Sequence, residues 1–245
     1  MRDPEDWEHV ATAAGGGAPS LGEQVEAVRL VAERLGPAVP VLQTVFSPLT
    51  VAGYLVGEDR PRAARELRER PNDVTPALER IAGALAEFAA RSVEAGAAGV
   101  FYAISDFASS DLMSLEEYQR LALPFDHRVL DALPAAAWCT VLHLCGPRIH
   151  FELASELPAH AVSWSIHEPR NPSLAEGRDR SGRAVMGGLD QSRTLLVGTP
   201  AEVRAERVAA VESTDGRGVL VAPGCSVPRE APDANLRAVT DQGTD

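Results

Sequence analysis

The chain has 245 residues, 45% of them hydrophobic, and a formal net charge of −12. That is enough apolar residue for one sizeable core, and about 250 residues is the usual size of a single α/β barrel. The negative charge is interrupted by no basic run, which argues against a nucleic-acid partner, and no stretch of ~18 apolar residues is present to span a membrane. All 23 basic residues are arginine, which excludes the lysine-dependent Schiff-base and pyridoxal phosphate chemistries. The opening MRDPEDWEHV is acidic and polar, unlike a secretory signal, and three unevenly spaced cysteines make no disulfide framework, so a cytoplasmic location is expected.

Residues 1–20 are polar and glycine-rich and read as a loose entry segment, with a single domain expected over 21–245. Val25, Val28, Leu30, Val31 and Leu35 recur at helical spacing until Gly36 and Pro37 stop the helix. PVLQTVFS (40–47) reads as a buried strand, and a short helix is expected around 62–70. Thr75 and Pro76 open a helix over 75–95 that Gly96 closes. GVFYAIS (99–105) is a strand, and 115–133 a helix that Pro124 should kink or break.

Strands are then expected at 138–145, 161–167, 183–190 and 218–225. Helices are expected at 148–157, 200–214 and over APDANLRAVTDQ (231–242). Six strands alternating with helices imply parallel pairing through right-handed crossovers. The fold expected is an α/β barrel of the TIM type, one or two N-terminal strands short of eight. Its exposed edges would be covered by residues 1–20 or by a homodimer partner.

Working residues of parallel barrels collect at the carboxyl ends of strands. Here those ends read SDFASSD (105–111), HLCG (143–146), IHEPR (166–170), GGLDQ (187–191) and APGC (222–225). His143 and Cys145 stand two apart, so the period of a strand points both to one face. Cys225 ends the last strand at the same rim. One imidazole and two thiolates suit zinc, and three protein ligands leave a fourth position open, as in catalytic sites. Cys139 reads as an inert core residue in mid-strand. Tyr102 and Trp164 read as barrel packing.

Several stretches together resemble the uroporphyrinogen decarboxylase superfamily, which includes zinc-dependent cobalamin methyltransferases. They are VPVLQTVFSPLTVAGYLVG (39–57), EAGAAGVFYAISDFASSDLMSLEEYQRLALPF (94–125), TVLHLCG (140–146), AVMGGLDQ (184–191), GTPAEVRAE (198–206) and VLVAPGCSVPREAPDANLRAV (219–239). The resemblance implies that His143, Cys145 and Cys225 take the places of the methyltransferases' zinc ligands. Decarboxylases of the superfamily lack the cysteine after the histidine and carry Gly-His where this chain has Gly224-Cys225.

The activity implied is transfer of a methyl group, from a corrinoid or similar donor, to a zinc-activated thiol. The alternatives are a decarboxylase of porphyrin (heme) biosynthesis acting on a tetrapyrrole, an inactive truncated member, and a non-enzyme that either carries a structural zinc site or scaffolds a corrinoid carrier. Asp106 and Asp190 are candidates to orient substrate, each with helix capping as the plainer role. His167 is a candidate substrate contact, and Arg148 and Arg170 could pair with a substrate carboxylate.

Overall fold

The computed structural model describes residues 6–12 and 19–240. Six strands run β1 (Leu42–Phe46), β2 (Gly99–Ser105), β3 (Val141–Cys145), β4 (Ala161–Ser163), β5 (Ala184–Leu189) and β6 (Val219–Pro223). They form one sheet in sequential order, and every neighbouring pair is parallel. Among the described residues β6 does not pair with β1, so the sheet is an open barrel-like wall of six strands, as the strand count requires.

Among the described residues twelve helices accompany them. The first seven are α1 (Asp6–Thr12), α2 (Pro19–Leu35), α3 (Pro48–Leu55), α4 (Arg60–Glu69), α5 (Pro71–Glu94), α6 (Leu115–Leu121) and α7 (Leu123–Leu130). The others are α8 (Leu153–Glu156), α9 (Leu174–Ser181), α10 (Thr194–Val197), α11 (Pro200–Glu212) and α12 (Asp233–Thr240). Among the described residues no helix is long and apolar enough to cross a membrane.

Local chemistry explains most boundaries. Ser114, Ser173 and Thr199 each open a helix with a reciprocal capping box to Glu117, Glu176 and Glu202, which satisfies two otherwise orphaned backbone donors per helix. The break expected at Pro124 is there: α6 ends at Leu121 and α7 starts at Leu123 with the proline in its first turn. In contrast, Thr75 caps nothing. α5 starts one turn earlier at Pro71 and carries Pro76 inside it.

The entry segment also differs from expectation. Within it α1 is ordered, and its Trp7, 1% exposed, donates from Nε1 to Glu66 of α4 at 2.6 Å. It packs on α5 rather than along a strand edge. Residues 1–5 and 13–18 of that segment lie outside the described residues. The helix expected over 148–157 shrinks to the single turn of α8, and the strand expected over 161–167 to three residues. Cys139, expected in mid-strand, precedes β3 and is half-buried, its N–H donating to the Ala98 carbonyl.

Alternation along the strands divides the chemistry. Val100, Tyr102 and Ile104 of β2 and Leu142 and Leu144 of β3 are fully buried in the main core. Phe101, Ala103, Ser105, His143 and Cys145 point the other way, into the concave face. Tyr102 and Trp164 therefore pack on the core side, not inside the barrel wall.

Tyr102 ends in a buried polar triad. Its hydroxyl and that of Tyr118 each donate at 2.6 Å to one oxygen of Asp126, which is 1% exposed. Burial pushes the Asp126 carboxyl up to about 7 against the opposing pull of the two hydroxyls. A carboxyl with a raised folded pKa favours the fold most below its unfolded pKa of about 3.9, and that contribution is lost as pH rises through about 7. At ~1.4 kcal/mol per pH unit the loss reaches up to about 4 kcal/mol. Urea unfolding at pH 4–8 should therefore show wild type losing stability relative to Asp126→Asn as pH rises. A constant difference between the two proteins would refute this.

Candidate metal centre

β3 delivers two donors because its side chains alternate. His143 and Cys145 are two residues apart on the concave face, with His143 4% exposed and Cys145 half-buried. Cys225 follows β6 by two residues, held beside them by Gly224. The Gly224 N–H donates to the Leu189 carbonyl at 3.0 Å, and a Cβ on Gly224 would stand 2.6 Å from Ser165 Cα and Cβ. The Cys145 and Cys225 sulfurs are 3.6 Å apart, and the donor atoms of His143, Cys145 and Cys225 all lie within 4.8 Å of one another. Tetrahedral ligands at zinc bond lengths are separated by roughly 3–4 Å, so small side-chain adjustments would close this set on a cation.

The two sulfurs are shifted in opposite directions. The hydrogen bond from Cys145, and then the imidazole of His143 beside it, push the Cys225 thiol down. The hydrogen bond to Cys225, and then burial, push the Cys145 thiol up. A pocket with an acidified thiol beside a second thiol and an imidazole is chemically matched to a soft or borderline divalent metal.

The three donors line a cavity of about 450 Å³. Phe46, Phe101, Met186 and Pro223 give it apolar walls, and Arg60 and Asp106 are its charged members apart from the triad. Asp106 follows β2 in the left-handed region at φ 58, tolerated because its short polar side chain can serve the local backbone. Its Oδ2 lies 2.9 Å from Arg60 Nε. Arg60 also sits over the Tyr54 ring at 5.4 Å. Nothing in the EDRPR segment singled out this arginine; it arrives as the first residue of α4.

The other candidates fall elsewhere. His167 and Asp190 do not line this cavity. They face each other at neighbouring strand ends, His167 Nδ1 3.9 Å from Asp190 Oδ2, with a third of the His167 side chain exposed. Asp190 Oδ1 accepts from the N–H groups of Ser192 and Arg193, both at 2.9 Å, so it caps the turn into α10. Arg148 is tied to Asp111 on the surface, and Arg170 is exposed outside the cavity.

An open wall of parallel strands with His and Cys donors converging at its carboxyl rim defines an α/β-barrel type of protein with a pocket lined by three side chains that could hold a metal. Comparison with known proteins gives this class a family: the uroporphyrinogen decarboxylase (URO-D) family model matches residues 1–244, and the chain belongs to that family. Methylcobamide:CoM methyltransferase MtaA of Methanosarcina barkeri is 31% identical over 219 residues, covering 88% of this chain and 61% of the relative. Uroporphyrinogen decarboxylase of Pseudomonas aeruginosa is 27% identical over 210 residues, covering 81% of this chain and 56% of the relative. The solved structure of a methyltransferase from Methanosarcina mazei superposes with a TM-score of 0.76 at 27% identity, covering 92% of this chain and 63% of the other. The chain thus spans about six-tenths of the length of the curated relatives it matches.

Proposed function

We propose that this chain is a zinc-dependent methyltransferase that moves a methyl group from a corrinoid donor to a thiol. The observation that carries the reading is the convergence of His143, Cys145 and Cys225 at one end of the 450 Å³ cavity. The likeness to the methylcobamide:CoM methyltransferases supports the same choice of donor. His143, Cys145 and Cys225 would hold the zinc, which would supply the positive charge that favours a thiolate acceptor at neutral pH.

The protein's own groups do the rest. Phe46, Phe101 and Met186 keep water away from the reacting sulfur, and Asp106, braced by Arg60, orients the acceptor from the cavity wall. A corrinoid is far larger than the cavity and must lie across its mouth. His167, a third exposed at the rim outside the cavity, would meet it there, with the buried Asp190 carboxylate behind it. A polycarboxylate tetrapyrrole, in contrast, demands several cations, and this cavity offers Arg60 alone, already paired with Asp106.

The test is direct. Zinc-loaded protein is incubated with methylcobalamin and a small thiol, and in parallel with uroporphyrinogen. The expected result is one zinc per chain and a methylated thiol, with the porphyrinogen unchanged. Decarboxylated porphyrinogen from metal-free protein would replace this reading by the decarboxylase one.

A further inference from the structure

β4 supplies no metal donor, yet it lies against the one imidazole of the triad. Ser163 is the register partner of His143 across the parallel β3–β4 pair, so both side chains leave the sheet on the same face. Its Oγ stands 3.2 Å from His143 Nδ1, with Ser163 2% and His143 4% exposed. On the ring's face Phe101 stacks at a centroid distance of 5.1 Å and an interplanar angle of 28°. The imidazole is therefore fixed both on one edge and on one face.

The two nitrogens of an imidazole sit on opposite sides of the ring, and which one is protonated follows from the bond the other makes. With Nδ1 turned to Ser163, Nε2 is the nitrogen left for the sulfurs of Cys145 and Cys225. A metal needs the bare lone pair there, which requires the proton on Nδ1 and an acceptor to receive it. The Ser163 hydroxyl oxygen is such an acceptor.

We propose that Ser163 is the positioning residue of the metal centre, holding His143 in the Nδ1–H tautomer with Nε2 aimed at the metal position. This rests on the metal reading above. Ser163 touches neither metal nor substrate and acts only through His143. Losing a partner of this kind weakens metal binding by about 10–100-fold. A threonine keeps a hydroxyl on the same carbon, and Ser163 borders the cavity, the side towards which an extra methyl could turn.

The experiment uses the full chain loaded with zinc or with Co(II), and compares wild type, Ser163→Ala and Ser163→Thr. Zinc affinity is read by chelator competition, the Co(II) absorption bands report ligand geometry, and ¹⁵N-histidine spectra report the tautomer. Thermal unfolding of the metal-free proteins shows that each variant is folded. The expected result is Nδ1–H with Nε2 metal-bound in wild type, a 10–100-fold loss of zinc affinity with altered Co(II) bands in Ser163→Ala, and recovery in Ser163→Thr. Wild-type affinity and bands in Ser163→Ala, or a proton on Nε2 of wild-type His143, overturn the inference while leaving the zinc reading intact. Should Ser163→Ala not fold, the wild-type tautomer and the threonine variant decide alone. Wild type that binds no zinc overturns the reading on which the inference rests.

Discussion

Cys145→Ser and Cys225→Ser each lose tight zinc binding, whereas Cys139→Ser still binds one zinc per chain. The first two variants remove one sulfur from a pair 3.6 Å apart, and the remaining donors then offer two protein ligands where an open catalytic site uses three. A loss on the order of 100-fold or more follows, larger than the loss of a supporting partner. Cys139 lies before β3, outside the triad, so its sulfur contributes nothing to the site. Metal analysis after dialysis against a weak chelator distinguishes the three proteins. In wild type, affinity should also rise with pH, because the Cys145 thiol must release its proton when metal enters. Equal zinc content in all three variants would remove the centre from this protein's chemistry.

Gly224→Ala should damage the site almost as much without touching a ligand. The added Cβ would lie 2.6 Å from Ser165 Cα and Cβ and 2.8 Å from Ser165 Oγ. All three atoms belong to Ser165, just past β4, and two of them are its Cα and Cβ, so no far end of a flexible side chain is there to yield and the chain at 224–225 must move. Overpacking of this kind costs about 1–3 kcal/mol of stability. Its functional effect is larger, because Cys225 is the next residue and a site loosened by ~1 Å no longer closes on its metal. Zinc affinity should fall on the order of 10–100-fold while the melting temperature drops by only a few degrees. A folded Gly224→Ala protein with wild-type zinc affinity would show that the loop bearing Cys225 adapts freely, contrary to the packing seen.

The likeness to both methyltransferases and decarboxylases makes the donor set decisive. Either reaction fits the family and the fold, since function on a barrel resides in the rim residues rather than in the strands beneath them. What separates the two here is Cys145 and Cys225 in a cavity with a single arginine.

Some elements show why certain features were readable and others were not. α3 and α9 are short helices that apolar periodicity does not reveal, although each carries a local start signal: Ser47-Pro48 opens α3, and Ser173 with Glu176 forms a capping box. These are local patterns, and they were simply short. The reduction of 148–157 to one turn has another cause. The chain there is held by contacts from distant segments, such as the Ile149 N–H donating to Asn171 Oδ1 and the His150 N–H to the Ala108 carbonyl. Helical spacing in the sequence competes with such bonds and loses.

The sequence by itself determined the class of fold and part of the site. Alternating strand and helix patterns require parallel pairing, and a period of two in TVLHLCG puts His143 and Cys145 on one face whatever the rest of the chain does. Both facts depend only on backbone geometry, which is local. That Cys225 ends the last strand at the same rim was readable too. How near its sulfur comes to Cys145 depends on the tertiary structure, because Gly224 bonds to Leu189 of β5 and passes tightly against Ser165. The tertiary structure also decided that Arg60 enters the cavity and that His167 and Asp190 stay outside. β4 ends at Ser163, so His167 lies beyond the strand, where alternation no longer aims a side chain, and the Asp190 carboxylate is committed to the turn into α10.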